Sequence, residues 1–239
     1  MRLGLTFRAA ARTHPGSVRG VNEDAVFVGG ATPLWAVADG MGGHEGGEIA
    51  SGAVVDALAS VSSMGASMEP AVWAAVEAAN RTLFIRNSNS VPPGQMGCTV
   101  ALLGVHAARF FCLWAGDSRV YRFRRRALEQ LTRDHSYVQE LIAAGALSGS
   151  EAEGHPQRNI ITRAIGIAPE PELESLEGDV RAGDRFMLTT DGVWSLCTND
   201  ELAGFIAMEN MEQAADQLTA LCLERGAPDN VSFVLVHVV

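Results

Sequence analysis

Apolar and polar residues follow two rhythms along this chain, and the switches between them divide it into strands, then helices, then strands again. The opening residues, Asp24 to Gly30 (DAVFVGG) and Leu34 to Gly40 (LWAVADG) are short, rich in β-branched and aromatic residues and closed by glycine, so they read as strands. From Glu48 the period lengthens. Ile49, Ala53, Val54, Leu58 and Val61 fall on one helical face, and a second helix, with Pro70 in its first turn, carries Val72, Val76, Ala79 and Leu83. The two are expected to pack as an antiparallel pair.

Cys98 to Leu131 reads as a run of strands. Within it, Gly97 to Gly116 approaches the length of a membrane span. His106 and Arg109 sit in its middle, and a central arginine costs about 2.5 to 3.5 kcal/mol on insertion scales. Two buried strands turning at His106-Ala107-Ala108 is the better reading. A helix is expected from about Asp134, closed by Gly145, and Ser148 with Glu151 forms a capping box. Ser148 to Gly166 is polar and irregular, which suits a mobile surface element. Leu173 to Val180 and Asp184 to Trp194 restore strand character, Asn199 to Asn210 and Glu212 to Arg225 read as helices, and Asn230 to Val239 ends the chain as a strand. Such segregated runs predict a layered α/β sandwich rather than repeating βαβ units.

Composition narrows the picture. A chain of 239 residues at 47% hydrophobic suits one large core and a single domain. A formal net charge of -10 argues against nucleic acid or an anionic membrane surface as the main partner, since both bind basic patches. Cys98, Cys112, Cys197 and Cys222 are scattered without a C-x-x-C pair, which suits a reducing cytoplasm. Arginines break the apolar run of Met1 to Gly16, so no secretory signal is expected. All 18 basic residues are arginines. Without lysine the chain lacks what a Walker A loop, a protein kinase or a pyridoxal enzyme requires.

One local pattern recurs: a small or apolar lead-in, an aspartate, then a turn residue. It appears at Ala38-Asp39-Gly40, Gly116-Asp117-Ser118, Thr190-Asp191-Gly192 and Pro228-Asp229-Asn230. Each alone is an ordinary turn former. Four at the ends of strands can meet in one cleft, where carboxylates repel unless a cation neutralises them. Hard cations such as Mg²⁺ and Mn²⁺ favour oxygen ligands, backbone carbonyls included, and Gly40 lets its carbonyl approach an ion. The glycine-rich loop after Asp39 also admits a phosphate cradle, although the lysine and spacing of a P-loop are missing. Zinc is disfavoured, because no two of the six histidines lie three or four residues apart.

Taken in order, these motifs resemble the metal-dependent serine/threonine protein phosphatases of type 2C (the PPM family), especially the bacterial branch. The carrying residues are Arg19 to Asp24 (RGVNED), Asp39 to His44 (DGMGGH), Gly116 to Arg119 (GDSR), Leu131 to Ser136 (LTRDHS), His155 to Gly166 (HPQRNIITRAIG), Gly183 to Gly192 (GDRFMLTTDG) and Asp229-Asn230. The resemblance implies an α+β fold, a four-layer α-β-β-α sandwich with two central antiparallel sheets flanked by helix pairs. It implies that Asp39 bridges two Mn²⁺ or Mg²⁺ ions, that Asp191 and Asp229 hold the first and the Gly40 carbonyl the second, and that Asp117 with Asp191 takes a third. Glu23 and Asp24 match an acidic pair acting through metal-bound water. Arg19 matches the arginine that grips the substrate phosphate, a role suited to a planar, permanently charged fork. The implied reaction is in-line attack on phosphorus by a hydroxide shared between ions.

Where animal members carry a histidine directly after Asp-Gly, this chain has Met41. Either His44 or metal-bound water is left as the general acid. Ser136 to Arg163 matches the family's variable flap, and the Arg122 to Leu128 cluster (RFRRRAL) reads as a solvated hairpin tip. The implied partners are phosphorylated proteins and a cognate serine/threonine kinase, with the enzyme a cytoplasmic monomer that binds neither nucleic acid nor membrane. Two rivals stand beside this reading: a pseudophosphatase that binds phosphoproteins without cleaving them, and a metallohydrolase of small phosphoesters.

Overall fold

Val231–Val238 is buried along its whole length, and its side chains divide between two cores: Val234, Val236 and Val238 face one way, Phe233 and Leu235 the other. A strand without polar alternation is one covered on both faces. The computed structural model, which describes residues 5–42, 46–61, 68–90 and 95–239, shows what covers it.

The strands are β1 (Phe7–His14), β2 (Asp24–Val28), β3 (Leu34–Met41), β4 (Gly97–Cys98), β5 (Val100–His106), β6 (Arg109–Ala115), β7 (Arg119–Arg124), β8 (Ala127–Gln130), β9 (Glu174–Asp179), β10 (Arg185–Thr189) and β11 (Val231–Val238). The helices are α1 (Gly46–Ala59), α2 (Met68–Asn89), α3 (Tyr137–Ala143), α4 (Gly149–Glu153), α5 (Asp191–Trp194), α6 (Asn199–Ile206) and α7 (Met211–Glu224). One sheet runs β1-β11-β10-β7-β8; the other runs β2-β3-β5-β6-β9, with β4 added against β3. Every strand pairing is antiparallel.

Three apolar layers hold four structural layers together. Trp35, Val37, Leu103, Phe110, Phe186 and Val234 fill the space between the sheets. Ala36, Ala38 and Leu102 turn outward onto Val54, Leu58, Val72 and Val76 of α1 and α2. Met187, Phe233 and Leu235 pack on the other side against Leu202, Ile206 and Leu218 of α6 and α7. Each fully buried aliphatic or aromatic side chain contributes about 1.5 to 3 kcal/mol. The four-layer sandwich expected from the resemblance is the fold.

Local boundaries differ from the sequence reading at three places, each because a side chain is engaged elsewhere. Helix α3 starts at Tyr137, not near Asp134: Ser136 caps it, while Asp134 is taken by Arg119 at 2.6 and 3.0 Å. Gly145 then follows the capping Ala144 with a φ of 70°. Asp191–Trp194 is helical, not strand: Thr190, whose hydroxyl is turned to Asp24 at 2.8 Å, makes the last backbone bond to Ser232 and serves as the N-cap of α5. Helix α6 stops at Ile206, leaving Asn210 to cap α7. The Ser148–Glu151 capping box is present, and the hairpin after β5 turns through Ala107 and Ala108 at positive φ.

The ends of the flap are tied together: Ser136 pairs with Ile161, Tyr137 N–H donates to the Ile160 carbonyl, and Thr162 N–H donates to that of His135. Arg125 and Arg126 form the tip between β7 and β8, while Arg122 and Arg124 pair with Glu129 and Asp184. Among the described residues no helix is long and apolar enough to cross a membrane.

Candidate active site

The recurrent aspartates gather because each sits at the strand end that meets one rim of the sandwich, Asp229 at the start of its strand and the others at the close of theirs. Asp39 lies near the end of β3, directly opposite Asp24 in the register of β2. Asp117 occupies the turn from β6 to β7, Asp191 follows β10, and Asp229 precedes β11. Arg19, Glu23, Asp39, Gly40, Asp117, Asp191 and Asp229 line one cleft of ≈ 580 Å³, with Thr99, Asn159 and Asn230. Asp24 lies behind it, buried between the sheets, where its carboxylate accepts from the Thr190 hydroxyl at 2.8 Å. His44 falls outside the described residues.

Gly40 has a reason beyond an accessible carbonyl. A Cβ there would meet the Gly47 carbonyl oxygen at 2.1 Å and that of Glu23 at 2.4 Å. The bare backbone lets β3, the Glu23 loop and the start of α1 meet, closed by Gly40 N–H to the Glu23 carbonyl at 3.1 Å. Glu23 is thereby placed at the head of α1, its Oε1 accepting from Gly47 N–H at 3.1 Å.

The surrounding hydrogen bonds hold the acids in place. Thr99 Oγ1 accepts from Asp39 N–H at 3.0 Å, and its own N–H donates to the Asp39 carbonyl at 2.8 Å. Asn230 accepts from Glu23 N–H at 2.8 Å and donates to the carbonyls of Pro15 and Val21. That side chain therefore fixes the loop bearing Arg19. Trp194 Nε1 donates to the Asp117 carbonyl at 3.0 Å, with the Arg119 guanidinium 3.6 Å above the ring. His135 N–H donates to the Gly116 carbonyl at 2.9 Å, and its Nδ1 accepts from Gly116 N–H at 3.2 Å. Thr99, Asn230, Trp194 and His135 had no assigned role in the sequence reading. His135 and Asn230 fall inside the recurrent motifs, which was the available signal; Thr99 and Trp194 announce themselves only through their contacts.

The electrostatics are those of crowded anions. Burial, reinforced by Asp24, Asp191 and Asp117, holds the Asp39 carboxyl well above the usual carboxylate range. Burial, with Asp191 beside it, pushes Asp117 up to about 8; burial, partly offset by the Ser232 and Thr190 hydroxyls, pushes Asp24 up to about 7. Asp191 is raised by burial and by Asp229, and eased by a hydrogen bond with Asp39. Two carboxyl groups within hydrogen-bonding reach must share a proton or a cation. Arg19 supplies positive charge at the rim, donating from Nη2 to Asp229 Oδ2 at 2.8 Å.

This donor set fits a hard divalent cation. It is composed of oxygen, it is partly buried, and among the described residues the arginines nearest its negative charge are Arg19, half-exposed at the rim, and Arg119, already paired with Asp134. Among the described residues no three acidic, histidine or cysteine side chains close on one ion by themselves. A full shell therefore draws on backbone carbonyl and water, the ligands that Mg²⁺ and Mn²⁺ ordinarily retain.

Two antiparallel sheets between helix layers, with an acidic cleft at one rim, define the architecture of the bacterial PPM phosphatases. The crystal structure of PstP/Ppp from Mycobacterium tuberculosis superposes with a TM-score of 0.91 at 35% identity, over 97% of this chain and 98% of that one. PppA of Pseudomonas aeruginosa superposes at 0.89, with 35% identity over 98% of both chains. The catalytic domain of PstP in complex with two manganese ions gives 0.88, with 35% identity over 99% of this chain and all of that one.

The model of the protein phosphatase 2C family matches residues 17–224, and the chain belongs to that family. Full-length serine/threonine protein phosphatase PstP of M. tuberculosis is 37% identical over the whole chain, which spans 46% of PstP. Serine/threonine phosphatase stp of Listeria monocytogenes is 29% identical, over 96% of this chain and 95% of its own length.

Proposed function

We propose that this protein is a metal-dependent phosphatase that removes phosphate from phosphoserine and phosphothreonine in proteins. The observation carrying this reading is the Arg19–Asp229 pair at the rim of the carboxylate cleft. It sets a phosphate-gripping fork beside a set of cation ligands.

In this reading Asp39, Asp191 and Asp229 hold two ions with the Gly40 carbonyl, and Asp117 joins Asp191 around a third. Glu23 and Asp24 support them from the outer shell. Bound Mn²⁺ or Mg²⁺ supplies acidified water and charge compensation at the phosphoryl oxygens. Arg19 turns its half-exposed fork from Asp229 toward the phosphate and orients it with two parallel hydrogen bonds. Asn230 keeps that loop in place, and Thr99 fixes the backbone on which Asp39 stands. The departing serine or threonine oxygen takes its proton from solvent in the cleft rather than from His44.

The manganese-bound PstP domain and the serine/threonine phosphatases named above support the cofactor and substrate class. The reading places the enzyme in the cytoplasm as a monomer reversing a serine/threonine kinase. The test is phosphate release from a phosphothreonine peptide with Mn²⁺, beside a chelated sample and Asp191→Asn. Release requiring both metal and Asp191 is expected. A folded, Mn²⁺-loaded protein that retains the peptide and releases nothing would identify a binding module instead.

A further inference from the structure

Cys197 and Cys222 take no part in the cleft, yet the fold brings them together. Their sulfur atoms lie 4.0 Å apart although 25 positions separate them in the chain. Cys197 comes three residues after the end of α5, the short helix that opens with Asp191, and Cys222 lies in the last turns of α7. Both belong to the core between the β1-β11-β10-β7-β8 sheet and its helices.

A second link spans the same two segments. From the end of α7, Arg225 donates to the Leu196 carbonyl at 2.5 Å and to Glu201 at 2.8 Å. The thiols are therefore held in register by an ion pair as well as by packing. A disulfide needs its sulfurs about 2.03 to 2.05 Å apart, so bond formation asks for an approach of roughly 2 Å, within reach of side-chain rotation and a small backbone shift.

The other two cysteines are placed differently. Cys98 directs its thiol to the Ala50 carbonyl at 3.5 Å, and Cys112 lies in the core between the sheets. Burial raises both thiols, whereas the contacts with Cys222 and Arg225 pull Cys197 below the ordinary thiol value. Cys197 is also the one that reaches the surface, at 8% exposure against 0% for Cys98, Cys112 and Cys222. The thiolate is the reactive form, so attack starts at Cys197.

We propose that Cys197 and Cys222 form an oxidant-accepting dithiol, which a hydroperoxide converts to an intramolecular disulfide tying α7 to the segment that follows Asp191. The Cys197 thiolate attacks the peroxide, the O–O bond breaks, Cys197 becomes a sulfenic acid, and the departing hydroxide takes up the proton Cys197 released on ionising, leaving as the first water. The Cys222 sulfur then attacks the Cys197 sulfur, the S–O bond breaks, and the departing hydroxide takes the Cys222 proton as the second water. Overall two thiols are oxidised and one hydrogen peroxide is reduced to two waters. Reduction by a dithiol reverses the change, as suits a thiol pair in a reducing compartment.

The experiment is titration of the folded protein with hydrogen peroxide, followed by thiol counting in denaturant and mass mapping of non-reduced peptides. The expected result is a fall from four thiols to two, a Cys197–Cys222 crosslinked peptide in monomeric protein, and recovery with dithiothreitol. Cys222→Ser should instead stop at a sulfenic acid on Cys197 that dimedone traps. Four thiols persisting after oxidation, earlier loss of Cys98 or Cys112, or a crosslink between molecules would each overturn the proposal. Mapping the wild-type protein decides the matter even if the serine variant fails to fold.

Discussion

Thr190 donates its hydroxyl proton to Asp24 at 2.8 Å, joining one sheet to the other beneath the acidic cleft. The threonine directly follows β10 and the aspartate starts β2, so one bond couples the halves of the sandwich where the cleft carboxylates gather. Thr190→Val keeps the shape and leaves the buried carboxyl one donor short. It should lower unfolding free energy by about 1 to 3 kcal/mol. Urea denaturation at neutral pH measures it, and an unchanged midpoint would show that the bond carries no net weight.

Arg19 and Asp229 are both well exposed, at 53% and 38% of their side-chain surface, so their ion pair adds little to stability. Its value lies in binding. Arg19→Ala should leave the melting temperature nearly unchanged while raising KM for a phosphopeptide about 10- to 100-fold, the scale of a lost charge-assisted hydrogen bond. A large stability loss with normal KM would remove Arg19 from the phosphate site.

Gly192 follows Asp191 and lies against the strand entry that Asp229 precedes. A Cβ at this position would stand 1.8 Å from the Asn230 carbonyl oxygen, which is backbone and has little freedom to move. Gly192→Ala should cost about 1 to 3 kcal/mol as an overpacking substitution. Because the strain falls between the segments bearing Asp191 and Asp229, which the proposed function makes metal ligands, Mn²⁺ affinity by calorimetry should drop with it.

The metal-free cleft binds protons where it would bind cations. Asp24 and Asp117 sit at about 7 and 8, above their unfolded values, so the folded metal-free protein holds extra protons at intermediate pH. Its stability should therefore decline as pH rises from roughly 4 towards 8. Mn²⁺ should displace those protons and reverse the trend, adding about 2.7 kcal/mol at a hundredfold excess over Kd. Calorimetry at pH 7 in buffers of different ionisation enthalpy reads the released protons. Binding heat independent of buffer would contradict a protonated cleft.

His237, outside the residues lining the carboxylate cleft, supplies a second pH effect. Burial, aided by Arg185 and Arg8, pushes it down to about 4, and its Nε2 has no hydrogen-bond partner among the described residues. The unfolded chain takes up a proton near pH 6.5 while the native state resists until about 4. The associated stability is complete above 6.5 and lost progressively down to 4. Allowing for solvent screening it amounts to roughly 1 to 2 kcal/mol. His237→Phe should remove that component from the difference between denaturation midpoints at pH 7 and 4.5.

Much of this molecule was legible without coordinates. The short runs rich in β-branched and aromatic residues at Leu34 to Gly40 and in Asn230 to Val239, and the period-3.6 run from Ile49, follow from which side chains must leave water, so strand and helix types emerged directly. The ordered aspartate motifs pointed to one cleft, and the structure brings Asp39, Asp117, Asp191 and Asp229 together there with Arg19 and Glu23. Helix ends were less legible. Asp134, Thr190 and Asn210 act as partners of Arg119, Asp24 and α7, and those partners lie elsewhere in the fold.

Only the tertiary structure decided which acids face the cleft and which lie behind it. Glu23 and Asp24 are neighbours in the chain, yet Glu23, in the loop before β2, is held at the head of α1 and lines the cleft, while Asp24, the first residue of β2, turns to Thr190 and is buried between the sheets. The approach of Cys197 to Cys222 is likewise a product of packing. Local propensity and hydrophobic period depend on near neighbours and can be read along the chain; which distant side chains meet depends on how sheets and helices stack, and a one-dimensional pattern does not contain that information.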